Sequence, residues 1–328
     1  MSLKPTQLHT LRPDLDRAVL ALKSNEVIGL PTETVYGLAA SIESEKGLKK
    51  IFEIKERPFF DPLIVHVSTF KQAQSLTTNW SPLADYLARK FWPGPLTLIL
   101  PKAKSVNPLI TSGLDTVGIR MPAHDLALEI IKRLGHPVAA PSANKFTKMS
   151  PSRAEHVREA FPEVLTIDGG PCDVGVESTV IRVSDELIEV LRPGAITQEA
   201  LANELKKWGQ PVQIVRSISQ ASPGHFEHHY MPDVPLVILT EAALKKSWLK
   251  EVETKLNQSF IQPKRLDISS EPRLAARELY NEMRLTAESG ADLIYVVKTE
   301  SSSGGFWDAI WDRLTRAATL DLSNKQIT

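Results

Sequence analysis

Cysteine is almost missing from these 328 residues; Cys172 is the only one. No intrachain disulfide can form, which excludes a disulfide-stapled secreted scaffold. The lone thiol reads as a small apolar side chain. Net charge is missing as well, with 39 Lys and Arg against 39 Asp and Glu. A partner held by bulk electrostatics, such as nonspecific DNA or an anionic membrane, is not indicated, and a local basic pocket stays open. No run approaches the ~20 apolar residues of a membrane span. The start, MSLKPTQLHTLRPDLD, has no apolar segment of signal-peptide type. These absences together predict a cytoplasmic protein.

Other devices are missing too. There is no repeat at solenoid periods, no GxxxxGK(S/T) loop and no GxGxxG after a strand, so any nucleotide binding uses other means. His225, His228 and His229 sit in a polar stretch without the further ligands that zinc needs.

What is present is ordinary globular material, 42% hydrophobic and 24% charged, at a length that suits two domains. Strand-like runs are VIGL (Val27–Leu30), PLIVHV (Pro62–Val67), LTLIL (Leu96–Leu100), TVGIRM (Thr116–Met121), PVAA (Pro137–Ala140), VLTID (Val164–Asp168), STVIRV (Ser178–Val183) and LIEVL (Leu187–Leu191). Helical patterns near Leu15–Lys23, Glu45–Glu53, Pro82–Phe91, Asp125–Leu134 and Pro151–Ala160 alternate with them. This is an α/β layout. STVIRV and LIEVL are close enough for a hairpin, so the sheet is expected to be mixed. The polar stretch Arg216–Pro235 reads as a linker or lid. Beyond it come PLVILT, helical patterns near Glu241–Leu256 and Pro272–Glu288, the strand ADLIYVV and a last helix in FWDAIWDRLTRAA. The expected division is 1–215, a linker 216–235, and a smaller α/β domain 236–328.

Six stretches could build a site. In GLPTETVYGLAA, Thr32, Glu33 and Thr34 follow a strand, where open α/β sheets line ligand crevices; a capped turn would use the same residues. In KKIFEIKERPFFDPLIVHV, Lys55 and Arg57 leave a helix ended by Pro58 and suit phosphates, or merely the negative helix end. His66 lies within an apolar strand and alone reads as a core histidine. FWPGPLTLIL contains a rigid Pro-Gly-Pro turn of architectural character. In TSGLDTVGIRMP, Arg120 inside a strand suits a ligand carboxylate or a structural ion pair. Ser142 and Asn144 in PSAN follow a strand. Beyond them Ser150–Pro151 reads as an N-cap with proline at N1, and Ser152 with Glu155 fits a capping box. A helix start there would favour anions. Finally, in GGPCDVGVESTVIRV and LRPG, Ser178 starts one strand and Arg192 ends the next, both able to face one crevice.

Taken in order, PTETVYGL, KERP, PLIVHV, FWPGPLT, TVGIRMP, APSAN, SPSRAE, ESTVIRV and LRPG closely resemble the YrdC-like family over about residues 10–230. From 235 onward GGFWDAIWDRLTRAA resembles its long, two-domain members. The resemblance implies a twisted, mixed, open sheet with flanking helices and a basic substrate face, followed by a small Rossmann-like α/β domain. It implies that L-threonine, bicarbonate or CO2 and ATP with Mg²⁺ give threonylcarbamoyl-adenylate and pyrophosphate. Other proteins would then move the threonylcarbamoyl group to the adenosine beside the anticodon of ANN-reading tRNAs. Thr32, Thr34, His66, Arg120 and Ser178 would hold L-threonine. Lys55, Arg57, Asp61, Thr116, Ser142, Asn144, Ser150 and Arg192 would line ATP, with Tyr230 as a lid residue. Lys55, Arg57 and Arg120 would be the catalytic cations. The chain reads DPL where the family commonly has NPL, placing the Asp61 carboxylate at an ATP position, and Glu227 replaces a usual basic residue in the linker. The competing function is a non-catalytic RNA-binding module, against which stand the neutral charge and the lack of an interleaved basic and aromatic stripe.

Overall fold

The computed structural model describes residues 12–217, 229–244 and 247–323. Most of the expected linker, 218–228, lies outside the described residues, including His225, Glu227 and His228. The chain forms two compact units, Met1–Phe146 with Ser150–His225, and Thr147–Met149 with Phe226–Thr328. The excursion of Thr147–Met149 into the second unit has a local cause. The Met231 amide donates to the Thr147 carbonyl at 2.8 Å, and Arg284 Nη2 donates to the Met149 carbonyl at 2.7 Å.

The first unit is built on ten strands: β1 (Ile28–Leu30), β2 (Gly37–Ser41), β3 (Ile64–His66), β4 (Leu96–Pro101), β5 (Thr116–Arg120), β6 (Val138–Ala139), β7 (Leu165–Thr166), β8 (Thr179–Val183), β9 (Leu187–Arg192) and β10 (Gln213–Arg216). They form one sheet in the order β10-β9-β8-β4-β5-β3-β6-β2-β1-β7. The sheet is mixed, as expected: β3 and β5 are parallel, β4 and β5 antiparallel, and β8 and β9 form the antiparallel hairpin. β2 was not among the expected strands. Its GLAAS sequence is too small and weakly apolar to stand out, and pairing with β1 and β6 makes it a strand.

Side chains alternate across a strand, and that alternation places the site. Val65, Leu96, Leu98, Leu100, Val117, Ile119 and Ile181 point to one face and join a large buried core with Ile51, Phe52, Leu87 and Val157. The intervening positions carry the polar groups. His66 on β3 is in register with Arg120 on β5, and Leu98 pairs with Ile119 so that Thr97 falls beside Arg120. Farther along, Ile28, Leu30, Ala39 and Val138 turn to the opposite face. There the helices Arg12–Lys23 and Asp125–Leu134 cover them through Leu15, Leu22, Ile130 and Ile131. Helices thus cover that second face at the β1–β2–β6 end, and around β3, β4 and β5 it carries His66, Thr97 and Arg120 beside the apolar Ile64, Ile99 and Val180.

The second unit is a parallel sheet, β12-β13-β11-β14, of β11 (Leu236–Thr240), β12 (Pro263–Arg265), β13 (Leu293–Lys298) and β14 (Leu320–Asp321). Helices Pro272–Glu288 and Phe306–Ala317 belong to it. The parallel, helix-connected layering is Rossmann-like, while the strand order differs from the dinucleotide-binding 3-2-1-4 order. Its first helix, Trp248–Leu256, begins at Trp248 rather than Glu241, because residues 241–244 turn, with the Ala243 amide donating to the Thr240 carbonyl at 3.0 Å. Among the described residues, no helix is long and apolar enough to cross a membrane.

One glycine fixes the hairpin edge beside the polar face. A Cβ on Gly194 would stand 2.4 Å from the Thr179 amide nitrogen and 2.6 Å from the Glu177 carbonyl oxygen, both backbone atoms. Gly194→Ala is expected to cost about 1–3 kcal/mol as an overpacking change, measured as a lowered urea midpoint at unchanged m-value. An unaltered midpoint would show that Ser178–Thr179 yields freely.

Candidate active site

The strand β1 ends in Leu30, and Pro31 to Tyr36 lead into β2. This turn is tied internally. Thr32 Oγ1 donates to the Val35 carbonyl at 2.6 Å and stands 2.9 Å from Thr34 Oγ1. Arg120 Nη1 donates to Thr34 Oγ1 at 2.8 Å, and Nε donates to the Gly94 carbonyl at 3.3 Å. The Pro-Gly-Pro turn therefore supplies a site contact besides its architectural role. Arg120 Nη2 lies 2.6 Å from Glu33 Oε2. The N–H directions miss that carboxylate, so neither Glu33 oxygen receives a hydrogen bond. Glu33 and Arg120 are 5% and 4% exposed. Beside them His66 is buried, with Nδ1 3.3 Å from the Ile64 carbonyl. Burial, reinforced by the Arg120 charge, pushes its pKa down to about 3, so the ring is neutral.

The PSAN loop is held from beneath. Lys55 ends the helix Glu45–Lys55, whose start is capped by Ser44 Oγ accepting the Gly47 amide at 2.8 Å. Its Nζ donates to the Ser142 carbonyl at 2.6 Å and also to the Asn144 carbonyl. Burial, with Arg57 nearby, lowers the Lys55 pKa well below the usual lysine range. The loop is joined to the Thr32–Tyr36 turn as well. The Ala143 amide donates to the Tyr36 carbonyl, and the Tyr36 amide donates to the Pro151 carbonyl, both at 2.8 Å. Next to Lys55, Arg57 is buried with Nη2 2.9 Å from Asp61 Oδ2 and donating to the Pro62 carbonyl at 2.7 Å. On the other side, Arg192 reaches Ser178, its Nη2 donating to the carbonyl at 3.1 Å and to Oγ at 3.2 Å. Ser178 Oγ also meets Thr97 Oγ1 at 2.8 Å.

The contacts join Thr32, Thr34 and Arg120, with His66 as Arg120's register partner. They also join Lys55 with Ser142 and Asn144, and Ser178 with Arg192. Two expectations are corrected, the helix cap at Ser150 and the purely basic face. Ser150 is not a helix cap. The helix there is Ala154–Ala160, its N-cap position is Arg153 without a side-chain cap bond, and Ser150 Oγ instead donates to Glu177 Oε1 at 2.5 Å. The residues between, Pro151 and Ser152, are drawn into pairing with Tyr36 and Cys172, which delays the helix start. Lys55, expected beside the phosphates, lies against the PSAN loop, with its Nζ donating to the Ser142 and Asn144 carbonyls. The polar face is not simply basic either, since Glu33, Asp61 and Glu177 are buried in it.

Thr116 lies at the opposite end of β5 from Arg120, about 13 Å away along the same face. Tyr230 belongs to the second unit, buried edge-on against His229 at 4.1 Å between ring centres, with the Arg313 guanidinium 5.7 Å from its ring centre. Among the residues joined here, Thr97, Gly94 and Glu177 were not singled out, and Glu33 was noted only as part of its turn. Each gains its place through a partner at least 26 positions away in sequence or, for Glu33, through Arg120, so no local pattern marks them.

Comparison with known proteins fits this geometry. A family model for Sua5, YciO and YrdC, described as "Telomere recombination", matches residues 20–194. A second, described as "Threonylcarbamoyl-AMP synthase, C-terminal domain", matches residues 186–319. The chain is 43% identical over 240 residues to the threonylcarbamoyl-AMP synthase of Bacillus subtilis (strain 168), covering 71% of this chain and 68% of that one. It is 35% identical over 313 residues to the threonylcarbamoyl-AMP synthase of Pyrococcus abyssi, covering 90% and 92%. The crystal structure of P. abyssi Sua5 complexed with L-threonine superposes with a TM-score of 0.80 at 32% identity, over 94% of this chain and 96% of that one. With a family match in each unit and full-length likeness to two-domain relatives, the chain belongs to the Sua5, YciO and YrdC family, extended by the Sua5 C-terminal domain.

Proposed function

We propose that this chain is an L-threonylcarbamoyladenylate synthase, joining L-threonine, bicarbonate or CO2 and ATP into threonylcarbamoyl-AMP and pyrophosphate. The observation that carries the reading is Arg120 at the carboxyl end of β5. It is framed by Thr34, the Gly94 carbonyl and a neutral His66, while Tyr36, two residues beyond Thr34, is bonded into the PSAN loop that Lys55 holds. A guanidinium in that frame suits the carboxylate of a small amino acid. The adjoining loops, Arg57 and Arg192 suit a triphosphate.

The residues act mainly by position. Arg120, Thr34 and Thr32 fix L-threonine, and Ser178 with Thr97 bounds the site. The neutral amine attacks the carbon of CO2, and the carbamate oxygen then displaces pyrophosphate at the α-phosphorus. Holding the two reactants in line can contribute ~7–11 kcal/mol. Arg57 and Arg192 offset the phosphate charge in place, an electrostatic contribution that needs no reorganisation at the moment of reaction. Lys55 acts one step back, by setting where the Ser142 and Asn144 backbone lies. Mg²⁺ would enter on the triphosphate and share its charge. The product is a labile mixed anhydride, so a cytoplasmic transferase acting on tRNA must consume it.

Three outcomes test this reading. Arg57→Ala should lower pyrophosphate release dependent on threonine and bicarbonate at least about tenfold, with unchanged release counting against the nucleotide site. Asp61→Asn removes the carboxylate that competes with phosphate for Arg57. It should leave the KM for ATP within about threefold of wild type or lower it, whereas a tenfold rise would mean that Asp61 itself holds the nucleotide. The third concerns pH. The folded His66 pKa, about 3, lies below the ordinary histidine value of 6.5. Between those values the unfolded chain binds the extra proton, so this contribution is full above pH 6.5 and is lost as pH falls toward 3. His66→Asn should flatten the fall in urea-denaturation free energy over that window; an unchanged slope would place the imidazole in water.

A further inference from the structure

We propose that Glu33 reads the α-ammonium group of the amino-acid substrate, so that Glu33 and Arg120 together select a zwitterion with its two charges one carbon apart. The proposal rests on Arg120 holding the substrate carboxylate.

A carboxylate buried at 5% exposure ordinarily collects hydrogen-bond donors, because an unsatisfied buried charge is costly. Glu33 collects none on either oxygen. Arg120 Nη2 stands 2.6 Å from Oε2, off the N–H direction. The neighbouring hydroxyls are committed elsewhere, Thr32 Oγ1 donating to the Val35 carbonyl and Thr34 Oγ1, which accepts from Arg120, donating to Thr32 Oγ1 at 2.9 Å. The main chain at Glu33 is anchored, its carbonyl accepting the Val174 amide at 2.8 Å. The site thus holds acceptor capacity that the protein leaves unused, next to the guanidinium that suits a carboxylate.

An α-amino acid presents what this arrangement lacks. Its carboxylate supplies acceptors for the remaining Arg120 N–H groups, and its ammonium supplies three donors for Glu33. Because the substrate's charges are adjacent, a receptor for it must keep its own opposite charges side by side, as Glu33 and Arg120 are. His66 cannot take the ammonium's part of this work, for it is neutral and already faces the Ile64 carbonyl.

The test is calorimetric binding to the full chain without ATP, using L-threonine and its 2-hydroxy analogue, in which a hydroxyl replaces the ammonium. Wild type should bind the analogue at least about tenfold more weakly, since a site built for a donor rejects the ligand lacking it. Glu33→Gln should lose at least about tenfold for L-threonine and stay within about threefold for the analogue, so that discrimination collapses. Equal weakening of both ligands would overturn the proposal, because it would mean that Glu33 only orients Arg120. Equal binding of both ligands by wild type would overturn it without any variant, which covers a Glu33→Gln chain that does not fold. Threonine-dependent pyrophosphate release by wild type, run alongside, separates the two levels. Its absence fails the synthase reading itself, and its presence with no discrimination fails only the role of Glu33.

Discussion

A lysine ammonium removed from water holds the candidate site together. Lys55 is 1% exposed, and an isolated buried ammonium would shed its proton or unfold its surroundings. Two backbone carbonyls, from Ser142 and Asn144, make its burial tolerable, and the same bonds fix the PSAN loop to the helix Glu45–Lys55. From that loop the order passes to Tyr36 through Ala143, and from Tyr36 to Pro151. Segments 87 or more residues apart are thereby registered to within a hydrogen-bond length. Removing the ammonium would leave two carbonyls without a donor and free the loop, so its effect on a ligand would be indirect and large.

The same constraint explains why the polar face is not purely basic. Four cations, Lys55, Arg57, Arg120 and Arg192, are buried within one unit. Left to themselves they would repel one another and pay full desolvation. Each is therefore given an internal acceptor. Lys55 and Arg192 take carbonyls, and Arg57 and Arg120 take the carboxylates of Asp61 and Glu33. Neither carboxylate receives a hydrogen bond in those pairs. Such contacts neutralise the buried charges within the fold.

The sequence made the layers legible and left their cross-links hidden. Strands such as LTLIL and TVGIRM announce themselves by alternation, and with them comes the fact that Arg120 alternates with the core residues Val117, Ile119 and Met121. The helix Asp125–Leu134 is equally plain, ending on Gly135 at φ 90°. Ser150 misled because its neighbours satisfy a capping pattern, while its actual partner, Glu177, is 27 positions away. β12 escaped because PKR has no apolar character, and its strand state comes from pairing with β13 and from Asp292 accepting the Gln262 amide at 2.9 Å. Lys55 was identified as a site residue for its charge, yet what the fold uses first is its reach. Local pattern reports which residues are unusual, and only long-range pairing says what the unusual residue holds.

The locked charge states bear on the chemistry. His66 is kept neutral by burial beside Arg120, and Lys55 is occupied with carbonyls, so the two residues best known for moving protons are both withdrawn from that work. Carbamate formation and attack at phosphorus do not require a protein nucleophile. They require the amine, the one-carbon unit and the α-phosphorus to meet without water, and the oxygens to be met by fixed positive charge. A site in which titrating groups are immobilised is suited to that task, because nothing in it must reorganise when charge shifts from carbamate to pyrophosphate. Glu33 departs from the pattern, being an ionisable group with lone pairs unspent, and it stands where the incoming amine would shed its charge.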